Sequence, residues 1–129
     1  MSMVMERGVI ANKIVRKDEI WLADLGYAGG SVQGGRRPVL VISNNIGNKY
    51  SPNVTVVPIT SSTIKKQLPT HVKMIASEVG FVRDSIIMFE SKVTIDKNNG
   101  LLYKLLDIPP SYYEVLDKAS AAAEKRIFT

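Results

Sequence analysis

Apolar positions along the chain recur first with a strand period and then, near the end, with a helical one. Glu19-Ile20-Trp21-Leu22-Ala23-Asp24-Leu25 reads as a first strand, with Trp21 supplying bulk. Val39-Leu40-Val41-Ile42 is a continuous aliphatic run and predicts a buried central strand. Pro38 fits only at its start, because proline has no amide proton for a ladder. Val54 to Ile59 predicts another strand, His71 to Ile75 an edge or half-exposed one, and Ser85 to Val93 a further one centred on Ile86 to Phe89. After Pro109-Pro110 the period lengthens. Tyr112, Val115, Leu116, Ala119 and Ala123 fall on one face of a helix. Between these elements, Gly26 to Gly35 holds five glycines in ten positions and reads as a mobile loop, and Asn45 to Pro52 as a second, polar loop. Residues 1–16 show no clear period and read as an N-terminal extension. The expected fold is mostly β (α+β), a small barrel or sheet with a C-terminal helix packed on it.

Length and composition narrow the class. One domain accounts for 129 residues, and 45% apolar with 22% charged residues is ordinary for a globular chain. The absence of cysteine excludes disulfides and thiolate zinc sites. A single histidine, His71, excludes a His-rich metal site. No apolar run approaches the ~20 residues of a membrane span, and the N-terminus lacks the apolar core of a signal peptide. The expectation is a soluble cytoplasmic protein with no membrane contact, no metal and no cofactor.

Charge changes the picture more than composition does. The net charge is +5, yet no acidic residue occurs between Asp24 and Glu78. That block carries Arg36, Arg37, Lys49, Lys65, Lys66 and Lys73, interleaved with Tyr27, Gln33, Asn44, Asn45, Asn48, Tyr50 and Thr60. Cations attract a polyanion and amides read bases, so the pattern points to nucleic acid.

Within the block, Gly29-Gly30-Ser31-Val32-Gln33-Gly34-Gly35-Arg36-Arg37-Pro38 places Gln33 on a loop and two arginines at the mouth of a buried strand. An arginine fixed there can hold its planar fork against a phosphate. No Gly-Lys-Ser/Thr follows and a strand succeeds the glycines, so this is not a P-loop. Thr60-Ser61-Ser62-Thr63 ahead of Lys65-Lys66 suits phosphate contacts, or equally the capping of a short helix over Ile64 to Leu68. His71 is either an acid–base group or a half-buried structural residue. Arg83-Asp84-Ser85 reads as a turn with Asp84 as a side-chain cap, and Tyr112-Tyr113 as core and surface of the helix.

Taken together, these residues resemble the MazF/PemK (Kid) toxins, most closely the MazF branch of Gram-positive bacteria. The resemblance rests on Ile20 to Leu25, Gly30-Ser31-x-Gln33-Gly34-Gly35-x-Arg37-Pro38-Val39 to Ile42, and Asn45-x-Gly47-Asn48-x-Tyr50-Ser51-Pro52. It continues through Pro58-Ile59-Thr60, Leu68 to Val72, Asp84-Ser85 and Thr94-Ile95-Asp96-Lys97. It covers about residues 17 to 125, so residues 17–129 are assigned to a toxin domain. It implies an SH3-like β-barrel with a C-terminal helix, a homodimer, and a cognate antitoxin protein as partner. It also implies a metal-independent endoribonuclease that cuts single-stranded mRNA at short sequences, leaving a 2′,3′-cyclic phosphate and a 5′-hydroxyl.

Carried over by position, the catalytic residues fall on Arg37 and Thr60. The candidate RNA contacts are Ser31, Gln33, Arg36, Asn44, Lys49, Tyr50, Ser61, Lys65 and Lys66. Glu90 and His71 are candidate general bases. The chain departs from the family pattern in three places. Val32 stands where relatives carry an acid, Lys17-Asp18-Glu19 where they carry Arg-Gly-Asp, and Glu90-Ser91-Lys92-Val93-Thr94 where they often carry Glu-Gln-x-Arg-Thr. These departures leave open a rival reading, a catalytically weak or inactive relative that binds RNA or a partner protein. A DNA-binding barrel has little support, because no helix carries a basic recognition face. A positioned base is worth ~10²–10⁴-fold. Val32→Glu is therefore expected to speed cleavage in single-turnover assays between pH 5 and 9, and equal rates there would place the base elsewhere.

Overall fold

The computed structural model describes residues 13–26, 34–61 and 67–125. Seven strands form one antiparallel sheet: β1 (Glu19–Asp24), β2 (Arg36–Val41), β3 (Asn53–Thr60), β4 (His71–Met74), β5 (Ser85–Met88), β6 (Val93–Asp96) and β7 (Leu101–Asp107). Their order is β4-β5-β3-β2-β1-β7, with β6 paired to β3. The two ends, β4 and β7, are not paired with each other. The mostly β architecture with a terminal helix is as expected, but the sheet stays open and does not close into a barrel.

The central strands are apolar without interruption because both of their faces are covered. Ile20, Leu40, Val57 and Ile59 pack into one core with Met74, Ile87, Phe89 and Ile108. Trp21, Val39, Val41, Val54 and Val56 pack into a second with Val15, Ala23 and Leu101. Neighbours in sequence thus go to opposite cores, as the pleat requires. Pro38 lies within β2, two residues after its start. Pairing with β3 begins only at Val39, so its missing amide proton falls beyond that ladder.

The run expected as one strand over Ser85 to Val93 is two. Both pieces run antiparallel to β3, with Ile87 opposite Ile59 and Val93 opposite Val56. Six steps on one strand therefore match three on the other. The surplus is taken up by a 3₁₀ turn, Phe89–Ser91, which buries Phe89. β7 escaped the sequence pattern because its middle, Tyr103 to Leu105, is exposed and only Leu101 is fully buried.

The polar loop expected over Asn45 to Pro52 contains a helix, α1 (Asn45–Tyr50). Asn44 caps it, its Oδ1 accepting the Gly47 N–H at 2.8 Å. Asn48 is fully buried; its amide donates to the Ser43 carbonyl at 2.9 Å, and its Oδ1 accepts the Ser43 hydroxyl. The helix end is closed from outside by Lys97, also buried, whose Nζ donates to the Asn48 carbonyl at 2.8 Å. Lys97 opens α3 (Lys97–Gly100), so one ammonium joins α1 to the far edge of the sheet. α2 (Ala76–Val79) is capped by Asp84, which accepts the Ala76 N–H at 2.8 Å, as the turn reading anticipated.

A 3₁₀ turn, Pro110–Tyr112, leads into α4 (Tyr113–Glu124). Tyr112, Leu116 and Ala119 are buried against the first core and Tyr113 is exposed. Val115, placed on the buried face by the sequence pattern, is 46% exposed. The Tyr112 hydroxyl donates to Glu78 and accepts the Ile75 N–H at 3.0 Å, which ties α4 to α2.

Asp18 is the one non-glycine residue with positive φ among those described, at 71°. Its backbone is held on both sides, donating to the Val41 carbonyl at 2.9 Å and accepting the Ile108 N–H at 3.0 Å. A glycine would adopt this backbone without strain, as the Gly of the Arg-Gly-Asp pattern in the family resemblance would. Burial raises the Asp18 carboxyl above its ordinary value, against the opposing pull of Lys17. A carboxyl raised on folding favours the neutral state, so the native protein loses stability as pH climbs through that range. Asp18→Asn should therefore be more stable than the parent near neutrality and equal to it well below pH 3.8, and Asp18→Gly should add about 1 kcal/mol by removing the backbone strain. Urea titrations at several pH values measure both. By the same method Lys97→Met should cost roughly 2–4 kcal/mol, because it strands the buried carbonyls that close α1.

Candidate active site

Register brings Arg37 and Thr60 together. β2 and β3 pair through Val39 with Pro58. Continuing that ladder by two residues sets Arg37 opposite Thr60, and residues opposite one another share a face of the sheet. Thr60 also pairs with Ile86 of β5, and its side chain is buried. Arg37 is half-buried and its Nε donates to the Gly34 carbonyl at 3.2 Å, which fixes the stem of the fork.

These strand ends open into a groove of ≈ 630 Å³. Its cationic and hydroxyl side is Arg36, Arg37, Arg83, Thr60, Ser61 and Ser85; its apolar side includes Phe81, Val82, Leu105 and Leu106. Among the described residues the lining holds no carboxylate and no imidazole. The two nearest acids by sequence and pairing are engaged elsewhere. Asp24 lies opposite Arg36 but its Oδ1 accepts the Gly26 N–H at 2.9 Å, and Asp84 caps α2. Three guanidinium groups in a concave site without a counter-charge repel one another, and a bound anion relieves that repulsion. Bidentate donation to phosphate is the contact their geometry favours.

Known proteins are similar enough to this chain to show its family. The model of the PemK-like, MazF-like toxin of type II toxin–antitoxin systems matches residues 16–121. The chain belongs to the PemK/MazF family. It is 44% identical over 106 residues to endoribonuclease EndoA of Bacillus subtilis, spanning 82% of this chain and 90% of that one. It is 46% identical over 85 residues to endoribonuclease MazF of Staphylococcus saprophyticus, spanning 66% of this chain and 71% of that one. Its fold is similar to that of a mycobacterial endoribonuclease solved in complex with its cognate antitoxin: TM-score 0.69, 23% identity, 89% of this chain and 99% of that one.

Of the site residues expected from the family, Arg36, Arg37, Thr60 and Ser61 line the groove. Ser31, Gln33, Lys65 and Lys66 lie outside the described residues, as do Val32 and residues 64–66 of the short helix expected over Ile64 to Leu68, whose last two residues, Gln67 and Leu68, are not helical. Asn44, Lys49 and Tyr50 are not brought to the groove. They sit at α1, beside the start of β3, and seven strand steps to Thr60 span ~24 Å. Asn44 is occupied as a helix cap, and the Lys49 ammonium lies 5.3 Å from the Tyr50 ring centre on an exposed surface. The acid-free block is thus continuous in sequence but not one patch in space.

His71 and Glu90 pair with each other instead of lining the groove. His71 Nδ1 accepts the Leu68 N–H at 3.1 Å, which leaves the ring proton on Nε2, 2.8 Å from Glu90 Oε2. Glu90 Oε1 accepts the Thr70 hydroxyl at 2.7 Å. Burial pushes the Glu90 carboxyl up, but the bonds from Thr70 and His71 outweigh it and hold it below the ordinary 4.5.

Sequence reasoning missed Arg83, Phe81 and Val82. Arg83 was absorbed into a turn, and the turn reading was correct for Asp84. What it lacked was the pairing of β5 with β3, which carries the residue before the strand to the groove. A carboxyl lowered on folding stabilises the native state above its unfolded value, and that contribution is lost as pH falls through the folded one. Glu90→Gln should accordingly narrow the stability difference from the parent as pH drops below 4.5, read by thermal melts across pH 3 to 7.

Proposed function

We propose that this protein is the toxin of a type II toxin–antitoxin pair, an endoribonuclease that cuts single-stranded mRNA in the cytoplasm without a metal. The observation that carries the reading is the placement of Arg37 and Thr60 in one groove with two further arginines and, among the described residues, no acid. The family match and the relatives named endoribonuclease support it.

In the proposed reaction the ribose 2′-oxygen attacks its own phosphorus, losing its proton. The bond to the 5′-oxygen breaks, and that oxygen leaves with a proton, giving a 2′,3′-cyclic phosphate and a 5′-hydroxyl. Charge on the phosphorane is greatest in the transition state, where a preorganised bidentate donor is most effective. Arg37 is assigned that role. Thr60 is assigned a hydrogen bond to a phosphate oxygen, since a hydroxyl is too weak an acid to lead. The engagement of Glu90 and His71 with each other supports a strut joining β4 to the turn after β5, and speaks against either as the general base.

Residues 17–129 are assigned to the toxin domain and 1–16 to an extension whose end packs on it: Val15 is buried, and the Lys13 ammonium meets the Asn98 carbonyl at 2.6 Å. Among the described residues no helix is long and apolar enough to cross a membrane. Homodimerisation, implied by the family resemblance, is retained: the exposed apolar residues include Tyr103, Tyr113 and Val115, which a second copy would cover. The antitoxin is assigned to cover the groove, where acidic and apolar side chains would meet both of its walls.

Purified protein incubated with a long single-stranded RNA in EDTA should generate cyclic-phosphate ends. Arg37→Ala should lose at least ~10²-fold in rate, and Thr60→Val less, because a neutral hydrogen bond is weaker than a charged one. Wild-type rates in both variants would refute the site assignment. No cleavage by the parent, with RNA binding intact, would support the rival reading of an inactive RNA-binding relative.

A further inference from the structure

Arg37 takes its orientation from a peptide unit two residues before it. Its Nε–H donates to the Gly34 carbonyl at 3.2 Å. All the N–H groups of a guanidinium lie in one plane, so a bond at Nε also sets the direction of the two terminal nitrogens. Those two are the pair that can grip a phosphate bidentately. The Gly34 carbonyl belongs to the same planar unit as the Gly35 N–H, and in a trans peptide the two groups point in opposite directions. The Gly35 N–H donates to the Gly26 carbonyl at 2.8 Å. One flat unit is thus held at both ends, by Arg37 on one side and by the end of β1 on the other.

The far end of this chain of bonds is Asp24. Its Oδ1 accepts the Gly26 N–H at 2.9 Å, and the Leu25 N–H donates to the Gly35 carbonyl at 2.9 Å. Gly26 and Gly35 both have left-handed backbones, with φ of 68° and 72°, which glycine adopts without strain. We propose that Asp24 is a positioning residue for Arg37: through Gly26 and the Gly34–Gly35 peptide, its carboxylate sets the plane of the guanidinium. The role rests on the endoribonuclease reading and adds to it a side chain that acts through the catalytic arginine. The relay needs only an acceptor oxygen from Asp24. The negative charge of the same side chain, opposite Arg36 on the ladder, works against the approach of a polyanion. Acceptor and charge therefore have opposite consequences, and substitution separates them. Asp24 is exposed, and a Cβ on Gly35 would meet no atom within 4 Å, so a change at either leaves the cores as they are.

Three measurements on the full chain test the role. Heteronuclear NMR follows solvent exchange of the Arg37 Nε proton, assigned by its loss in Arg37→Ala. Single-turnover assays give the cleavage rate on a single-stranded RNA. Anisotropy gives Kd for the same RNA with 2′-O-methyl riboses, which binds but cannot be cut. Asp24→Ala should exchange the Nε proton faster than the parent and cut roughly tenfold or more slowly, since the transition state depends steeply on donor orientation. It should bind the uncut RNA no more weakly, having lost an acid. Asp24→Asn keeps the acceptor without the charge; it should hold the slow proton and cut within about threefold of the parent. Gly35→Ala should behave like Asp24→Ala, because a side chain strains a left-handed backbone and tilts the peptide. Thermal melts check that each variant is folded. Slow exchange retained in Asp24→Ala would overturn the relay, and a parental cleavage rate despite fast exchange would overturn the positioning role. An Asp24→Asn variant as slow as Asp24→Ala would overturn it too, by making the charge the active feature. A parent that cuts no RNA, while its Nε proton still depends on Asp24, would overturn the endoribonuclease reading and leave the relay standing.

Discussion

Two-sided burial of β1, β2 and β3 is the constraint on which the rest depends. Each of these strands sends alternate side chains into separate cores, so a slip of one residue would exchange the two sets wholesale. Leu40 and Val57 cannot trade places with Val39 and Val56 without mispacking both faces. Register across the middle of the sheet is therefore held tightly. The groove inherits that precision, because Arg37 and Thr60 stand on the same ladders, two residues beyond Val39 and Pro58. A site built on strand ends needs no separate scaffolding when the strands are locked by their interiors.

The fold was legible where one physical signal dominated. The aliphatic run at Val39 to Ile42 announced a strand covered on both faces, and the spacing of Tyr112, Leu116 and Ala119 announced a helix covered on one. Legibility failed where two elements shared one run. The chain from Ile86 to Asp96 pairs with β3 at both ends, and only the partner strand reveals that three residues are looped out at Phe89–Ser91. It failed also at α1, where asparagines read as loop residues. Asn44 accepts from Gly47, and buried Asn48 is held by Ser43. Lys97, forty-nine residues away from Asn48, completes the helix end. No local pattern announces a long-range partner of that kind.

The candidate site shows the same division. Arg37 and Thr60 were legible through motif spacing, and geometry brings them together. Lys49 and Tyr50 belong to the same acid-free stretch of sequence but end α1 at the far end of β3. Arg83 lay outside that stretch, with acids on either side at Glu78 and Asp84, and for that reason charge patterning passed over it. Both of those acids are spent on structure. Glu78 accepts the Tyr112 hydroxyl, and Asp84 closes α2.

This use of acids is how the groove keeps its field. A carboxylate near three arginines would collapse onto them as an ion pair, and an RNA phosphate would then have to displace it at a cost in affinity. Here the neighbouring carboxylates bond to other partners: Asp24 to the turn at Gly26, Asp84 to a helix N-terminus, and Glu78 to a phenol anchored to α4. Capping and turn formation are usually read as stability devices alone. In this protein they also leave the arginines unneutralised, so the local structure around α2 and the charge of the groove are one arrangement.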